Sequence, residues 1–303
     1  MQIELVAEGL QFPEGPVAMA DGSVVLVEIA GERLTRISPD GTKAILAHIP
    51  GGPNGCAVGP DGAFYVCNNG GQFDYVEIGG VLRPAPEPSV RYRGGSIDRV
   101  DPISGKITTV YDSYLGERLL SPNDLVFDRQ GGLWFTDYGY RKGSTLQLGA
   151  VYYGAFDGTS LTRPRKNLLS PNGIGLSPNN DQLYVAETLT ARLYRCAIEA
   201  PGKLARTDTV PGPVVVTLPG HQGFDSLAVE EGGKVCVATL FNGGIAIVDP
   251  DGMWEHVPFP DALTTNICFG GADMSDAWIT CAGTGKLYKC RWPRPGLRLN
   301  FSA

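Results

Sequence analysis

Six short phrases in this chain carry an oxygen-bearing side chain at one matching position. They are FPEGPVAM (12–19), GPNGCAVG (52–59), SPNDLVFD (121–128), SPNGIGLS (170–177), GFDSLAVE (223–230) and TTNICFGG (264–271). The matching residues are Glu14, Asn54, Asn123, Asn172, Asp225 and Asn266, two carboxylates and four amides. Gathered around one point, they would present hard oxygen donors without sulfur, and two carboxylates balance a 2+ charge. That is donor chemistry for calcium, magnesium or manganese. The three histidines, His48, His221 and His256, all lie outside the phrases. An asparagine in Pro-Asn-Gly can instead be a turn residue that tolerates left-handed backbone geometry, a reading that suits Asn54. It does not extend to Glu14 or Asp225, which share the register without the turn.

Gathering residues so far apart needs a repeating architecture. The six positions are 40, 69, 49, 53 and 41 residues apart, a period that signals a propeller or solenoid. Each phrase is followed by a Gly, Asn or Asp turn and then by a second run of strand length, such as SVVLVE, AFYVCN, LWFTD, QLYVAE or KVCVATL. A third run follows, as in RLTRIS, SIDRVD, AVYYGAF, RLYRCAI, GIAIVDP and KLYKCRW. These runs are rich in β-branched and aromatic residues, they are separated by some of the 41 glycines and 23 prolines, and no stretch holds a long 3.6-residue apolar period. The fold class expected is all-β, a six-bladed β-propeller occupying residues 1–303 as one domain. The first strand of each blade lines a central channel with the metal site at its axis. Residues 1–8 are expected to add a strand to the last blade and close the ring.

The longest interval exceeds its neighbours by roughly 25 residues, taking ~40–50 per blade as the norm. The extra material, residues 70–95 (GGQFDYVEIGGVLRPAPEPSVRYRGG), has the glycines and prolines of a loop. It is placed over one face of the ring as a candidate lid, with Tyr92 and Arg93 as candidate substrate contacts.

Composition narrows the partners. With 25 basic and 32 acidic residues the net charge is −7, and no basic run offers a track for nucleic-acid phosphates or an anionic membrane surface. MQIELVAEGL carries charges where a signal peptide would be apolar, no apolar stretch could span a bilayer, and a cytoplasmic protein is expected. Seven cysteines, with no CxxC pair and mostly within apolar runs, are expected to be buried free thiols. There is no G-x-S-x-G nucleophile elbow, and GTGKL (283–287) lacks P-loop spacing.

FPEGPV, SPNDLVFD followed by GLWFTD, SPNGIGLSPNNDQLYVAET and FDSLAV resemble, in order and along nearly the whole chain, the senescence-marker protein 30, gluconolactonase and luciferin-regenerating enzyme family. The resemblance implies a six-bladed propeller holding one divalent cation, calcium first, with zinc, magnesium, manganese and iron(II) as alternatives. It implies hydrolysis of a sugar lactone or related cyclic ester. The family's metal ligands fall on Glu14, Asn172 and Asp225, and Asn123 matches a channel asparagine that ligates the metal or contacts substrate. Asn54 and Asn266 complete the ring as further substrate candidates. Two residues before that channel asparagine, the family's sugar-acid lactonases usually have arginine; this chain has Ser121.

The chemistry expected is polarisation of a lactone carbonyl by the cation, with an activated water as nucleophile. Asp225 is the candidate general base and Glu14 a structural and electrostatic ligand; the alternative leaves Asp225 a pure ligand. A phosphotriesterase-like hydrolase would use the same site, and a non-catalytic propeller would bind partners through its faces.

Overall fold

A computed structural model describes residues 1–207 and 212–301. Among the described residues there is no helix. Six antiparallel sheets follow one another along the chain, each beginning at one of the six phrases. Their innermost strands are Pro13–Ala18, Pro53–Val58, Pro122–Phe127, Pro171–Leu176, Gly223–Val229 and Thr264–Gly270. Each touches the inner strands of the sheets on either side, the sixth touching the first, so the ring is closed.

The sixth blade is completed from the other end of the chain. Ile3–Ala7 pairs antiparallel with Lys286–Arg291, with Ile3 opposite Cys290 and Leu5 opposite Tyr288. This is the closure expected for residues 1–8, and it leaves no free edge where the ring begins and ends.

The blades are held by six apolar clusters, one at each interface between neighbours. Val25 and Val27 of the first blade meet Phe64 and Val66 of the second. Phe135 and Leu133 of the third meet Tyr65 and Cys67 of the second on its other side. Both faces of a blade are therefore buried, which is why the second strands read as continuous apolar runs rather than as alternating ones. Six of the seven free cysteines are buried in this packing, and Cys268 is partly exposed.

One irregularity recurs. Each inner strand breaks register with its neighbour near its start: between Glu14 and Val17, Pro53 and Cys56, Pro122 and Leu125, Pro171 and Ile174, Phe224 and Leu227, and Thr264 and Asn266. A bulge bends a strand and re-aims one side chain, and here it falls at the phrase position in every blade. Asn54 lies inside such a strand at its bulge, so its Pro-Asn-Gly is not a turn. The turn reading fails because the polypeptide there is extended and paired.

Residues 70–95 also differ from the irregular loop expected. Phe73–Ile78 and Val81–Pro88 form a hairpin, joined by Gly79 and Gly80 with φ of 62° and 78°, the two left-handed residues that a tight hairpin turn requires. Three prolines are tolerated because Val81–Pro88 is a strand of a two-stranded ribbon with a free side. The ribbon leaves the second blade and reaches back over the first and sixth: Leu82 N–H donates to the Gly283 carbonyl (2.8 Å), and Tyr75 packs on Phe12 at 4.8 Å between ring centroids. A smaller hairpin, Tyr140–Lys142 with Thr145–Gln147, rises from the third blade and touches it.

The closeness of the inner strands makes a testable demand. A Cβ on Gly173 would lie 2.7 Å from the Asp225 carbonyl oxygen and 2.8 Å from the Leu227 nitrogen, both backbone atoms of the next blade. Gly173→Ala should cost about 1–3 kcal/mol, the range for overpacking. Gly232→Ala, where a Cβ meets nothing within 4 Å, should stay within about 0.5 kcal/mol of the parent. Urea denaturation of both variants checks this; equal effects would mean the ring is not packed this tightly.

Candidate metal centre in the central channel

The loop entering each of four inner strands is clasped by a side chain at the end of the second strand. Glu28 accepts from the Gln11 N–H (2.7 Å), the Arg33 guanidinium and the Thr35 hydroxyl. Asn68 Oδ1 accepts from Gly52 (2.9 Å) and Gly70 (3.0 Å) N–H groups. Asp137 accepts from Leu120 (2.7 Å), Ser121 (2.8 Å) and Gly139 (3.0 Å), and Glu187 from Leu169 (2.7 Å) and the Tyr194 hydroxyl (3.0 Å). These residues end the runs VLVE, YVCN, WFTD and YVAE. Each fixes the approach to a proline and the ring residue after it. Phe12 and Ser170, just before two of these prolines, have φ of 59° and 58°. Such geometry costs roughly 1–2 kcal/mol in a residue with a side chain, and it lies beside Glu14 and Asn172.

Five of the phrase residues, Glu14, Asn54, Asn123, Asn172 and Asn266, are buried, and Asp225 is partly exposed. Glu14 Oε2 accepts from the Gly15 N–H (2.6 Å) and the Asn266 amide (2.7 Å). Asn266 Oδ1 in turn accepts from the Ile267 N–H (2.8 Å), so this amide is spent on orienting Glu14. The Asn172 amide donates to the Thr188 hydroxyl (3.1 Å) and hydrogen-bonds Asp225. Glu14, Asp225 and Asp124 act on one another electrostatically, which brings three carboxyl groups into one buried region.

Two oxygens in the ring, Glu14 Oε1 and Asn123 Oδ1, are buried without any hydrogen-bond partner. Leaving such an atom unpaired costs about 1–3 kcal/mol, more for a charged group. A hard divalent cation would satisfy both and neutralise the carboxylates beside them, so the donor set fits such an ion. Among the described residues no three His, Cys, Asp or Glu side chains converge closely enough to hold a metal alone. A site here therefore depends on amide oxygens from Asn172 and Asn123.

Asp124 was no site candidate in the sequence, yet it occupies the channel. Its carboxyl accepts from Leu125 N–H (2.9 Å) and hydrogen-bonds Ser226 and the Ile174 N–H of the next blade. The position after the ring residue is glycine in three other phrases, Gly15, Gly55 and Gly173, each pressed against the neighbouring strand. A carboxylate at that position was the available signal. Two phenols also reach the mouth. Tyr75, from the hairpin, lies within electrostatic range of Glu14 and Asp225, and burial followed by those charges pushes its hydroxyl pKa up. Tyr138 hydrogen-bonds Thr188 and Ser170, and burial and then Asp225 push it up to about 12.

The hairpin's Tyr92 and Arg93 are placed elsewhere. Tyr92 donates its hydroxyl to the Leu120 carbonyl (2.6 Å) and stacks on Tyr140 at 4.2 Å, bracing the two hairpins. Arg93 lines a side pocket with Asn68, Asp98 and Arg91. From the same segment, Tyr75 is the side chain brought near the carboxylates.

A closed six-bladed propeller with buried carboxyl and amide side chains on its inner strands defines the class of protein. The chain belongs to the SMP-30/gluconolactonase/LRE-like family, whose model matches residues 12–283. It is 29% identical over 254 residues to the lactonase drp35 of Staphylococcus aureus, a match covering 82% of this chain and 70% of that protein. It superposes on a gluconolactonase from Xanthomonas campestris with a TM-score of 0.76 at 25% identity, covering 96% of this chain and 89% of that one. A calcium-binding regucalcin from Agrobacterium tumefaciens shares the fold, with a TM-score of 0.72, 20% identity and 98% of each chain covered.

The carboxyl cluster sets a pH dependence for protein freed of divalent cations. Burial first, and Asp225 next, raise Glu14 well above the usual carboxylate range. Burial raises Asp225 to about 8 and Asp124 to about 7. Unfolded carboxylates titrate near 4, so between about pH 4 and pH 8 the folded state holds more protons than the unfolded one. Stability contributed by these groups is then present at low pH and lost as pH rises through the folded pKa values. Denaturation midpoints in chelator should fall between pH 5 and pH 9, and saturating calcium should flatten the fall. A chelated protein equally stable across this range would show that the carboxylates do not repel.

Proposed function

We propose that this chain is a metal-dependent lactonase, holding one divalent cation, calcium first, on Glu14, Asn172, Asp225 and Asn123. The observation that carries this reading is that Glu14 Oε1 and Asn123 Oδ1 are buried without partners while Glu14, Asp225 and Asp124 share one buried region. The lactonase drp35 and the Xanthomonas gluconolactonase support a lactone as substrate, and the calcium binding of the regucalcin supports the choice of ion.

When bound, the cation supplies Lewis-acid polarisation of the lactone carbonyl and compensates the charge that develops on its oxygen. The chain's own residues do the rest. Asp225, hydrogen-bonded to Asn172, takes the proton from the attacking water with the carboxylate oxygen not committed to the ion. Glu14 is held by Asn266 and Gly15 and serves as fixed negative charge. Asn123 has an amide oxygen free for the ion or the substrate. The phenols of Tyr75 and Tyr138 border the mouth through which a small cyclic ester enters.

The variants separate these roles. Asp225→Asn keeps an oxygen donor and loses the proton acceptor, so turnover should fall at least about a hundredfold while bound metal, measured by elemental analysis, falls less. Glu14→Gln should weaken the metal by roughly one to two orders of magnitude, and Asn123→Ala should act largely on KM. Asp225→Asn with its metal and full lactone turnover would leave Asp225 a ligand only. A parent protein that opens no lactone in a broad panel but cleaves phosphotriesters would replace the substrate class.

A further inference from the structure

The two ends of an asparagine amide have the same shape, so hydrogen bonds alone decide which end faces a neighbour. For Asn172 both amide hydrogens are taken, one by the Thr188 hydroxyl (3.1 Å) and one by Asp225. Its oxygen keeps only a long contact of 3.5 Å with the Ser226 hydroxyl. Thr188 can hold this arrangement only as an acceptor, because a hydroxyl that donated would draw in the amide oxygen instead. The orientation of Asn172 therefore depends on where the Thr188 proton goes.

That proton goes to Tyr138, whose phenol hydrogen-bonds both Thr188 and Ser170. Ser170 lies 2.5 Å from the Leu169 carbonyl oxygen and accepts the Leu189 N–H (3.0 Å). A carbonyl has no proton of its own, so the hydrogen in that close contact is the one from Ser170. Toward Tyr138 the serine can then only accept; the phenol donates to Ser170 and receives from Thr188. Reversing the chain would set the Tyr138 and Ser170 oxygens together with no proton between them. One direction results, from Asn172 to Thr188, to Tyr138, to Ser170 and to the Leu169 carbonyl. Thr188 and Ser170 are buried and are also joined through the backbone, the Thr188 N–H donating to the Ser170 carbonyl (3.1 Å).

We propose that Tyr138 is a positioning residue, which acts through Thr188 to leave the oxygen of Asn172, rather than its nitrogen, for the metal. This rests on the reading above that Asn172 is a ligand. Asp225 alone would not secure the amide, because on that reading its carboxylate also holds the ion and takes up a proton as the lactone opens.

Calorimetry of calcium binding to chelator-stripped protein tests this without recourse to activity. Tyr138→Phe and Thr188→Val should each weaken calcium roughly ten- to a hundredfold, the range for groups that orient a metal ligand. Thr188→Ser keeps the hydroxyl and should restore the affinity of the parent. A carboxylate has no nitrogen to misplace, so in an Asn172→Asp background Tyr138→Phe should leave calcium affinity unchanged, as loss of a merely structural tyrosine would not. Should that background not fold, the side-chain amide protons of Asn172, followed by NMR in metal-free protein with isotope-labelled asparagine, should exchange with solvent faster in Tyr138→Phe than in the parent. The positioning role is overturned if Tyr138→Phe binds calcium as the parent does, if it loses as much affinity with Asn172→Asp as without it, or if the amide exchange does not change. Asn172→Ala with the calcium affinity of the parent would instead overturn the ligand reading, and this proposal with it.

Discussion

Everything in this molecule depends on a closure constraint. Six inner strands in a closed ring each press on two neighbours, so each gives up both faces to packing and leaves only its inner edge free. The recurring register break falls beside that edge, at or next to the phrase residue of each blade. Chain segments 252 residues apart, such as Glu14 and Asn266, thereby come within hydrogen-bonding distance. A local defect in six strands, multiplied by closure, makes the site.

Holding carboxyl groups together away from water works against folding, and the chain offsets this locally. Glu14 receives two donors, and Asp124 and Asp225 receive backbone N–H groups as well as side chains. What these donors cannot reach are Glu14 Oε1 and Asn123 Oδ1. The pattern is that of a scaffold which satisfies most oxygens of these side chains and leaves two unpaired. The clasps at Glu28, Asn68, Asp137 and Glu187 extend the scheme outward by fixing the loops from which the ring residues start.

The blade count was legible in the sequence because the phrase and the runs after it are written six times in one register, and the closing strand followed from the need to leave no free edge in the ring. Glu14, Asn123, Asn172 and Asp225 stood out as polar residues in strands that are otherwise apolar. Features that occur once were harder to read. The ribbon at 73–88 was obscured because its prolines and glycines also describe a loop; the alternation that makes it a ribbon spans only a few residues on either side of Gly79 and Gly80. Tyr75 needed the ribbon's direction across the ring, which no local pattern carries. Asp124 needed the observation that its equivalents are glycines pressed on a neighbouring strand. Asn266 was readable as a ring member, but its commitment to Glu14 was not.

The strand Ile3–Ala7 has a consequence for how the protein is made. Its partner, Lys286–Arg291, is made only after all six inner strands. Ile3–Ala7 must therefore wait, unpaired, until the sixth blade has been made. Earlier blades can assemble against one another as they emerge, each adding one interface of the kind seen between Val27 and Phe64. The ring itself can close only once its sixth blade has been made, and it closes by the most non-local pairing among the described strands, a step of high contact order and slow formation. Because Glu14 meets Asn266 only in that step, the polar contacts between the first and sixth blades arrive last, after the scaffold around them is built.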